Sequence, residues 1–335
     1  MMFFAVFLAC SSEKTKPIEY PLELGACDAW DVQTLTKENL IDAGKEFEML
    51  RQMGMQYARP HRPSGHVFSF DVVRGPMGTD WDWELPDLIV KSAQKNQMKL
   101  LITLDNHIEY TGNAPIQLSV SEDEMSNWLI FVAALIERYD GDGNQDMPGL
   151  TQSLYAVEIG NEPSCPPTDV SCHERYRLVV QNSSEVIRKA SDTVLILMGG
   201  AAPLFKPSQK NEHRDIHKGV EALYRYLFAN LPKGTVDALP FHMMVGSFET
   251  NLEQYVVEWR TIAGETPLWL TEVGVHRSHG QFQPALQNPD KAVVWTDNLF
   301  SELRELEIPH IMWCRAGGAW DENKAIMDIL KINGH

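Results

Sequence analysis

Residues 154–163 read Leu-Tyr-Ala-Val-Glu-Ile-Gly-Asn-Glu-Pro, a short apolar run that closes on Asn161-Glu162-Pro163. It has the length of a strand and stays apolar along most of it, as expected of a strand covered on both faces. Its chemically able side chains gather at the downstream end. Glu158 breaks the run and shares side-chain parity with Glu162, so it points the same way and reads as the buried partner of an interior basic or polar group.

The same pattern recurs outward from this stretch. Residues 267–274, Pro-Leu-Trp-Leu-Thr-Glu-Val-Gly, close on Glu272, and further apolar runs cover 22–29, 55–59, 99–104, 193–198, 238–244 and 310–313. Between them lie amphipathic stretches. Met125, Trp128, Leu129, Val132, Leu135, Ile136 and Tyr139 recur at three- and four-residue steps, one apolar helical stripe, and similar stripes run through 40–53, 176–190, 220–231, 252–262 and 292–306. Eight strands separated by helices predict an α/β fold, a single-domain (β/α)8 TIM barrel. A doubly wound sheet gives the same alternation, but the chain has no Gly-x-Gly-x-x-Gly after an early strand and no phosphate-binding Gly-x-x-x-x-Gly-Lys-Ser/Thr. In a barrel the downstream strand ends all open on one face, where Arg59, His107, Asn161, Glu162, His242, Glu272 and Trp313 would meet.

The chain has 335 residues, 44% of them apolar and 22% charged, which suits one large domain and excludes disordered and fibrous classes. Its 29 basic and 46 acidic residues leave a formal charge of −17, so nucleic acid and anionic membrane surfaces are poor partners. Neither a His-Glu-x-x-His pair nor a Gly-x-Ser-x-Gly elbow occurs, which removes the metalloprotease and α/β-hydrolase readings.

Glu162 and Glu272, on strands four and seven, would face one another across the barrel mouth and could share one substrate bond. Cleaving a glycosidic bond needs a proton donor for the leaving oxygen and a second carboxylate beyond the anomeric carbon; retaining enzymes hold the two about 5–5.5 Å apart. An ionised Glu272 would raise the pKa of Glu162 and keep it protonated, while Arg59 would hold Glu272 ionised.

At these residues the sequence resembles the clan A glycoside hydrolases, a superfamily of (β/α)8 retaining enzymes. Asn161-Glu162-Pro163 is similar to the clan's Asn-Glu motif after strand four, whose glutamate is the acid/base, and Glu272 to its nucleophile after strand seven. The run 138–150, Arg-Tyr-Asp-Gly-Asp-Gly-Asn-Gln-Asp-Met-Pro-Gly-Leu, followed by 155–163, resembles members near families 5 and 39. The resemblance implies that Arg59 supports the nucleophile, that Asn161 binds the sugar 2-hydroxyl, that His242 is the strand-six histidine and that Trp313 is the platform under the sugar. His107 takes a place after strand three. Family 5 usually has His-x-Tyr on strand six, whereas this chain has His242-Met243-Met244. The implied activity is retaining hydrolysis of a β-linked polysaccharide or oligosaccharide, probed from an endo-acting cleft; an exo-acting pocket and a non-catalytic carbohydrate-binding barrel are the alternatives. No cofactor is implied, and a monomer is expected.

Trp81 and Trp83, in Trp-Asp-Trp between strands two and three, put two indoles on one side if extended, as sugar-stacking subsites require; Trp83 could equally anchor the following helix. Trp30 and Trp320 are further aromatic candidates. Residues 1–9 are almost wholly apolar and stop at Cys10, ahead of a polar run, so 1–20 reads as a lipoprotein-type signal and tether and 21–335 as the catalytic domain. Export, with a membrane reached only through a lipid on Cys10, is the corresponding location. Cys165 and Cys172 flank a loop with two prolines that a disulfide could pin in an oxidising compartment, whereas Cys27 and Cys314 read as buried thiols. Residues 140–146, Asp-Gly-Asp-Gly-Asn-Gln-Asp, space oxygen ligands at alternate positions as calcium loops do. They lack glycine at the sixth position and have Thr151 where an EF-hand puts glutamate, so the reading is a solvated turn.

Overall fold

A computed structural model describes residues 22–27, 43–60, 67–74, 80–105, 122–201, 211–245, 252–275 and 289–314. Residues 1–21, Cys10 among them, and Trp30, His107 and Trp320 lie outside the described residues. The strands are β1 (Glu23–Cys27), β2 (Tyr57–Arg59), β3 (Lys99–Leu104), β4 (Ala156–Asn161), β5 (Leu195–Gly200), β6 (Leu239–Val245), β7 (Leu268–Val275) and β8 (His310–Cys314). The helices are α1 (Ala43–Gln52), α2 (Phe70–Val73), α3 (Glu84–Lys95), α4 (Glu122–Tyr139), α5 (Val170–Ala190), α6 (Asn211–Asn230), α7 (Leu252–Ala263) and α8 (Pro289–Glu305). Each expected strand is present within about three residues at either end. Helix α3 follows Trp83 directly, as the sequence reading allows, though no apolar stripe marked its extent; Pro86 sits in its first turn, where a missing N–H costs no helical hydrogen bond.

All strands pair in parallel, in the order β5-β4-β3-β2-β1-β8-β7-β6, and parallel bridges Leu197–Ala238 and Ala201–Phe241 join the two ends. The result is the (β/α)8 barrel that the alternation predicts. Strand parity splits the core in two. Residues such as Leu24, Ala58, Ile102, Val157, Ile159, Ile196 and Phe241 pack outward with the helices, while Leu101, Ala156, Leu197, Ala238 and Trp269 fill the barrel interior.

The upstream end of the barrel is plugged by polar and aromatic side chains. Tyr57 donates to Glu23 at 2.6 Å, Lys99 lies 5.0 Å from the Tyr57 ring centre and 5.2 Å from that of Tyr155, and Tyr155 stacks on Trp269 at 5.9 Å. His310 Nδ1 stands 2.8 Å from Glu23, whose carboxyl is held down at about 2 chiefly by the hydrogen bond from His310, against the opposing effect of partial burial. The functional groups are left to the other end.

Candidate active site

Arg59 ends β2 and is fully buried. Its Nε and Nη2 reach Glu158 Oε2 at 2.7 and 2.6 Å, Nη2 also donates to Asn161 Oδ1 at 2.7 Å, and Nη1 donates to Glu272 Oε1 at 2.8 Å. Cys27 Sγ, at the end of β1, lies 3.5 Å from Nη1. One planar fork therefore ties the ends of β2, β4 and β7 together, which a lysine could not do. Thr103 of β3 adds a hydroxyl 3.3 Å from Glu158 Oε2.

Plain alternation does not account for this convergence. On β4, Ala156 and Glu158 face inward, so strict period two would turn Asn161 outward; instead Gly160 takes φ 85°, Asn161 reaches Arg59, and Glu162 follows at φ 45°. A glutamate in the left-handed region is strained by about 1–3 kcal/mol and is held there by surrounding contacts, among them the bond from its own N–H to Gly200 O at 2.9 Å. On β7 the register against β6 shifts between the Phe241–Leu270 and His242–Glu272 pairs, which makes Thr271 an extra residue, a bulge. Trp269 faces inward and Leu270 outward; without the bulge Glu272 would follow Leu270 into the helix layer. The Thr271 hydroxyl is buried without a hydrogen-bond partner, a sign of local distortion.

His242, on β6, is buried and bridges the two carboxylates: Nδ1 lies 2.9 Å from Glu162 Oε1 and 3.7 Å from Glu272 Oε2. One oxygen each of Glu162 and Glu272 and a ring nitrogen of His242 all fall within 4.8 Å of one another. Burial works against a charged imidazole, but the fields of Glu272 and Glu162 outweigh it and raise the pKa above its ordinary value. Burial likewise opposes the Arg59 charge, and Glu158 and Glu272 more than compensate, so the guanidinium stays ionised. Opposite Nδ1, His242 Nε2 packs on Gly200, where an added Cβ would lie 2.0 Å away. Tyr255 of α7 holds the same strand by donating to His242 O at 3.0 Å.

Of the residues singled out from the sequence, the structure brings together Arg59, Asn161, Glu162, His242 and Glu272. Trp313 is placed elsewhere. On β8, Met312 and Cys314 face the interior and Trp313 faces out, 5% exposed, between Phe300 and Trp295 of α8 at 6.2 and 6.4 Å. A one-residue difference in parity makes it a helix-layer anchor instead of a sugar platform. Trp81 and Trp83 also pack in the helix layer: Trp81 against Phe70 and Phe131, and Trp83 against Tyr139 with the Arg138 guanidinium 5.4 Å from its ring centre. Neither touches the carboxylate group. Glu158 takes the buried role expected of it, with Arg59 as partner. Cys27 and Cys314 are buried thiols that stand with Glu272, one ligand atom of each within 4.8 Å. Their place beside Glu272 follows from the β1–β8 register, in which Cys27 pairs with Cys314, and no sequence motif marks it. Cys165 and Cys172 form a disulfide, with Cα atoms 5.9 Å apart, between the segment after Glu162 and the first turn of α5.

No protein-family profile matches the chain. Among curated proteins it is similar to a probable mannan endo-1,4-β-mannosidase A of Aspergillus niger, 22% identical over 217 residues, 58% of this chain and 50% of that protein. The chain thus spans about half the length of the curated relative it matches. Among solved structures, an endo-β-1,4-mannanase from Thermotoga petrophila superposes with a TM-score of 0.60 at 17% identity, covering 94% of this chain and 77% of the other. A family 39 glycoside hydrolase from Bacteroides cellulosilyticus gives 0.61 at 15%, covering 94% and 64%. What these structures share with the chain across most of its length is the (β/α)8 fold.

Proposed function

We propose that the protein is a retaining, endo-acting β-glycoside hydrolase, with a β-1,4-linked mannan as the polysaccharide to test first. The observation that carries this reading is the Glu162–Glu272 pair, with one oxygen of each carboxylate within 4.8 Å of the other. Oxygens this close leave little room for a water between the two carboxylates, which suits attack on the sugar itself. Glu272, held ionised by Arg59, attacks the anomeric carbon while Glu162 protonates the departing glycosidic oxygen. The glycosyl–Glu272 ester is then released by a water that Glu162 deprotonates, which returns the starting protonation state and retains the β-configuration. Asn161, fixed by Arg59, presents its amide toward the sugar. The mannanases among the similar proteins support the choice of substrate.

The test is proton NMR of the first products from β-1,4-mannan oligosaccharides. The β-anomer should appear first and mutarotate afterwards. Glu272→Ala should abolish turnover without unfolding the barrel, and azide should restore part of it as a glycosyl azide. Release of the α-anomer first, or near-native activity in Glu272→Ala, would overturn the reading. Export with Cys10 as the lipidated residue belongs to the same proposal and is supported by the Cys165–Cys172 disulfide, of a kind that persists in oxidising compartments. Its check is whether the protein fractionates with membranes and leaves them in Cys10→Ala.

A further inference from the structure

We propose that the loop joining α4 to β4 holds a calcium ion on Asp140, Asp142 and Asp146. One carboxylate oxygen from each of these residues lies within 4.8 Å of the others. A second, separate observation points to a cation. Asp140 is 7% exposed, its Oδ1 accepts from the Asp142 N–H at 3.3 Å, and its Oδ2 is buried with no hydrogen-bond partner. A buried carboxylate oxygen without a donor is costly, and a hard cation satisfies it without a proton.

The chain around this oxygen is shaped as a ligand loop. Gly141, Gly143 and Gln145 take φ 77°, 92° and 53°, so Gln145 itself adopts the left-handed turn that calcium loops assign to the glycine absent here. Gly141 N–H and Gly143 N–H donate to the two oxygens of Asp146 at 3.2 and 2.8 Å, and Asn144 N–H donates to Asp142 Oδ1 at 2.7 Å, leaving further lone pairs on each oxygen. Glu137, which accepts from the Asn144 amide, adds a fourth carboxylate nearby. Arg188 and Lys189 line the adjoining cleft, but Arg188 is committed to Asp237 at 2.6 Å, which leaves Lys189 as the nearby cation without a described partner. An all-oxygen, carboxylate-rich and irregular set favours calcium over magnesium, which keeps its waters and demands an octahedron. The site is far from the carboxylate pair, at the upstream end of β4, where a bound ion would stabilise the barrel without entering the chemistry.

The experiment uses the full chain after exhaustive dialysis against EDTA, with CaCl2 or MgCl2 as probe. Calorimetric titration should show one calcium per chain, and Tm should rise by about 5 °C at a calcium concentration roughly 100 times the dissociation constant. Asp142→Asn keeps an acceptor for Asn144 N–H and removes one charge from an exposed side chain. It should melt like the wild type in EDTA, bind calcium at least about tenfold more weakly and lose about half of the shift or more. Asp146→Asn, which replaces one of the two oxygens that accept from Gly141 N–H and Gly143 N–H, should melt lower in EDTA and should likewise lose calcium affinity. The proposal is overturned if wild-type Tm is equal in EDTA and in about 5 mM calcium, a concentration above the roughly 0.1–1 mM dissociation constants of extracellular calcium modules. It is also overturned if magnesium gives the same shift, or if both variants keep the full calcium response.

Discussion

Arg59 is the residue on which the carboxylate group turns. It is fully buried, and its ion pairs with Glu158 and Glu272 are the cationic counterweight to two acids at the floor of the site. Arg59→Ala would leave both acids buried without a cation, a change that typically costs about 3–5 kcal/mol. Denaturant unfolding should show a loss of that order. Arg59→Lys keeps the charge but not the fork, so Asn161 and Glu272 would each lose a donor. The barrel should still fold while kcat on an activated aryl glycoside falls on the order of 10²-fold, the scale set by small misplacements of reacting groups. Equal activity in the lysine variant would show that only the charge matters. Arg59, Asn161, Glu162 and Glu272 were legible in the sequence because each is a polar residue at the end of an apolar run, and His242 because it interrupts one near its downstream end. Trp313 ends such a run too, yet the parity of β8 points it away, and one-residue parity is what a short apolar run leaves open.

Among the elements, β4 and β7 carry the departures that aim the site. Their positions were legible; the Thr271 bulge and the turned backbone at Gly160 and Glu162 were not, because neither follows from hydrophobic period. The paired strand β5 supplies a flat surface for His242, and Gly200→Ala would drive a methyl group into its ring. Expected are a destabilisation of about 1–3 kcal/mol from overpacking and a large fall in kcat, since a displaced His242 no longer bridges Glu162 and Glu272. A melt combined with rate measurements checks both, and unchanged kinetics would remove His242 from the positioning role. The Cys165–Cys172 bridge closes a short loop, so Cys165→Ser should lower stability by about 2–3 kcal/mol while the barrel still folds cooperatively. Wild-type protein under reducing conditions should match the variant.

For the molecule as a whole, two ends of the barrel set opposite pH limits. Glu23, at the plugged end, has a folded pKa of about 2 against an ordinary 4.5, so its contribution is present above 4.5 and is lost as pH falls toward 2. His242, at the open end, has a pKa raised from 6.5, so its contribution is full below 6.5 and fades as pH climbs through the higher folded value. Tm measured from acid to alkali should therefore pass through a maximum, and Glu23→Gln should flatten the acid side alone. A profile in which Glu23→Gln leaves the acid side as steep as in the wild type would refute this assignment. The joint between β5 and β6 adds a mechanical consequence. Among the described residues it consists of two isolated bridges, so the barrel behaves as a rolled sheet whose two free margins meet there. Breathing of the ring should begin at that margin, with amide deuterium uptake in β5 and β6 ahead of β1 and β8. Glu162 is hydrogen-bonded to β5 on one side of the joint, and His242 and Glu272 stand on the other. An oligosaccharide lodged against all three would act as a rivet across the margin, and deuterium uptake there should slow when the sugar is added.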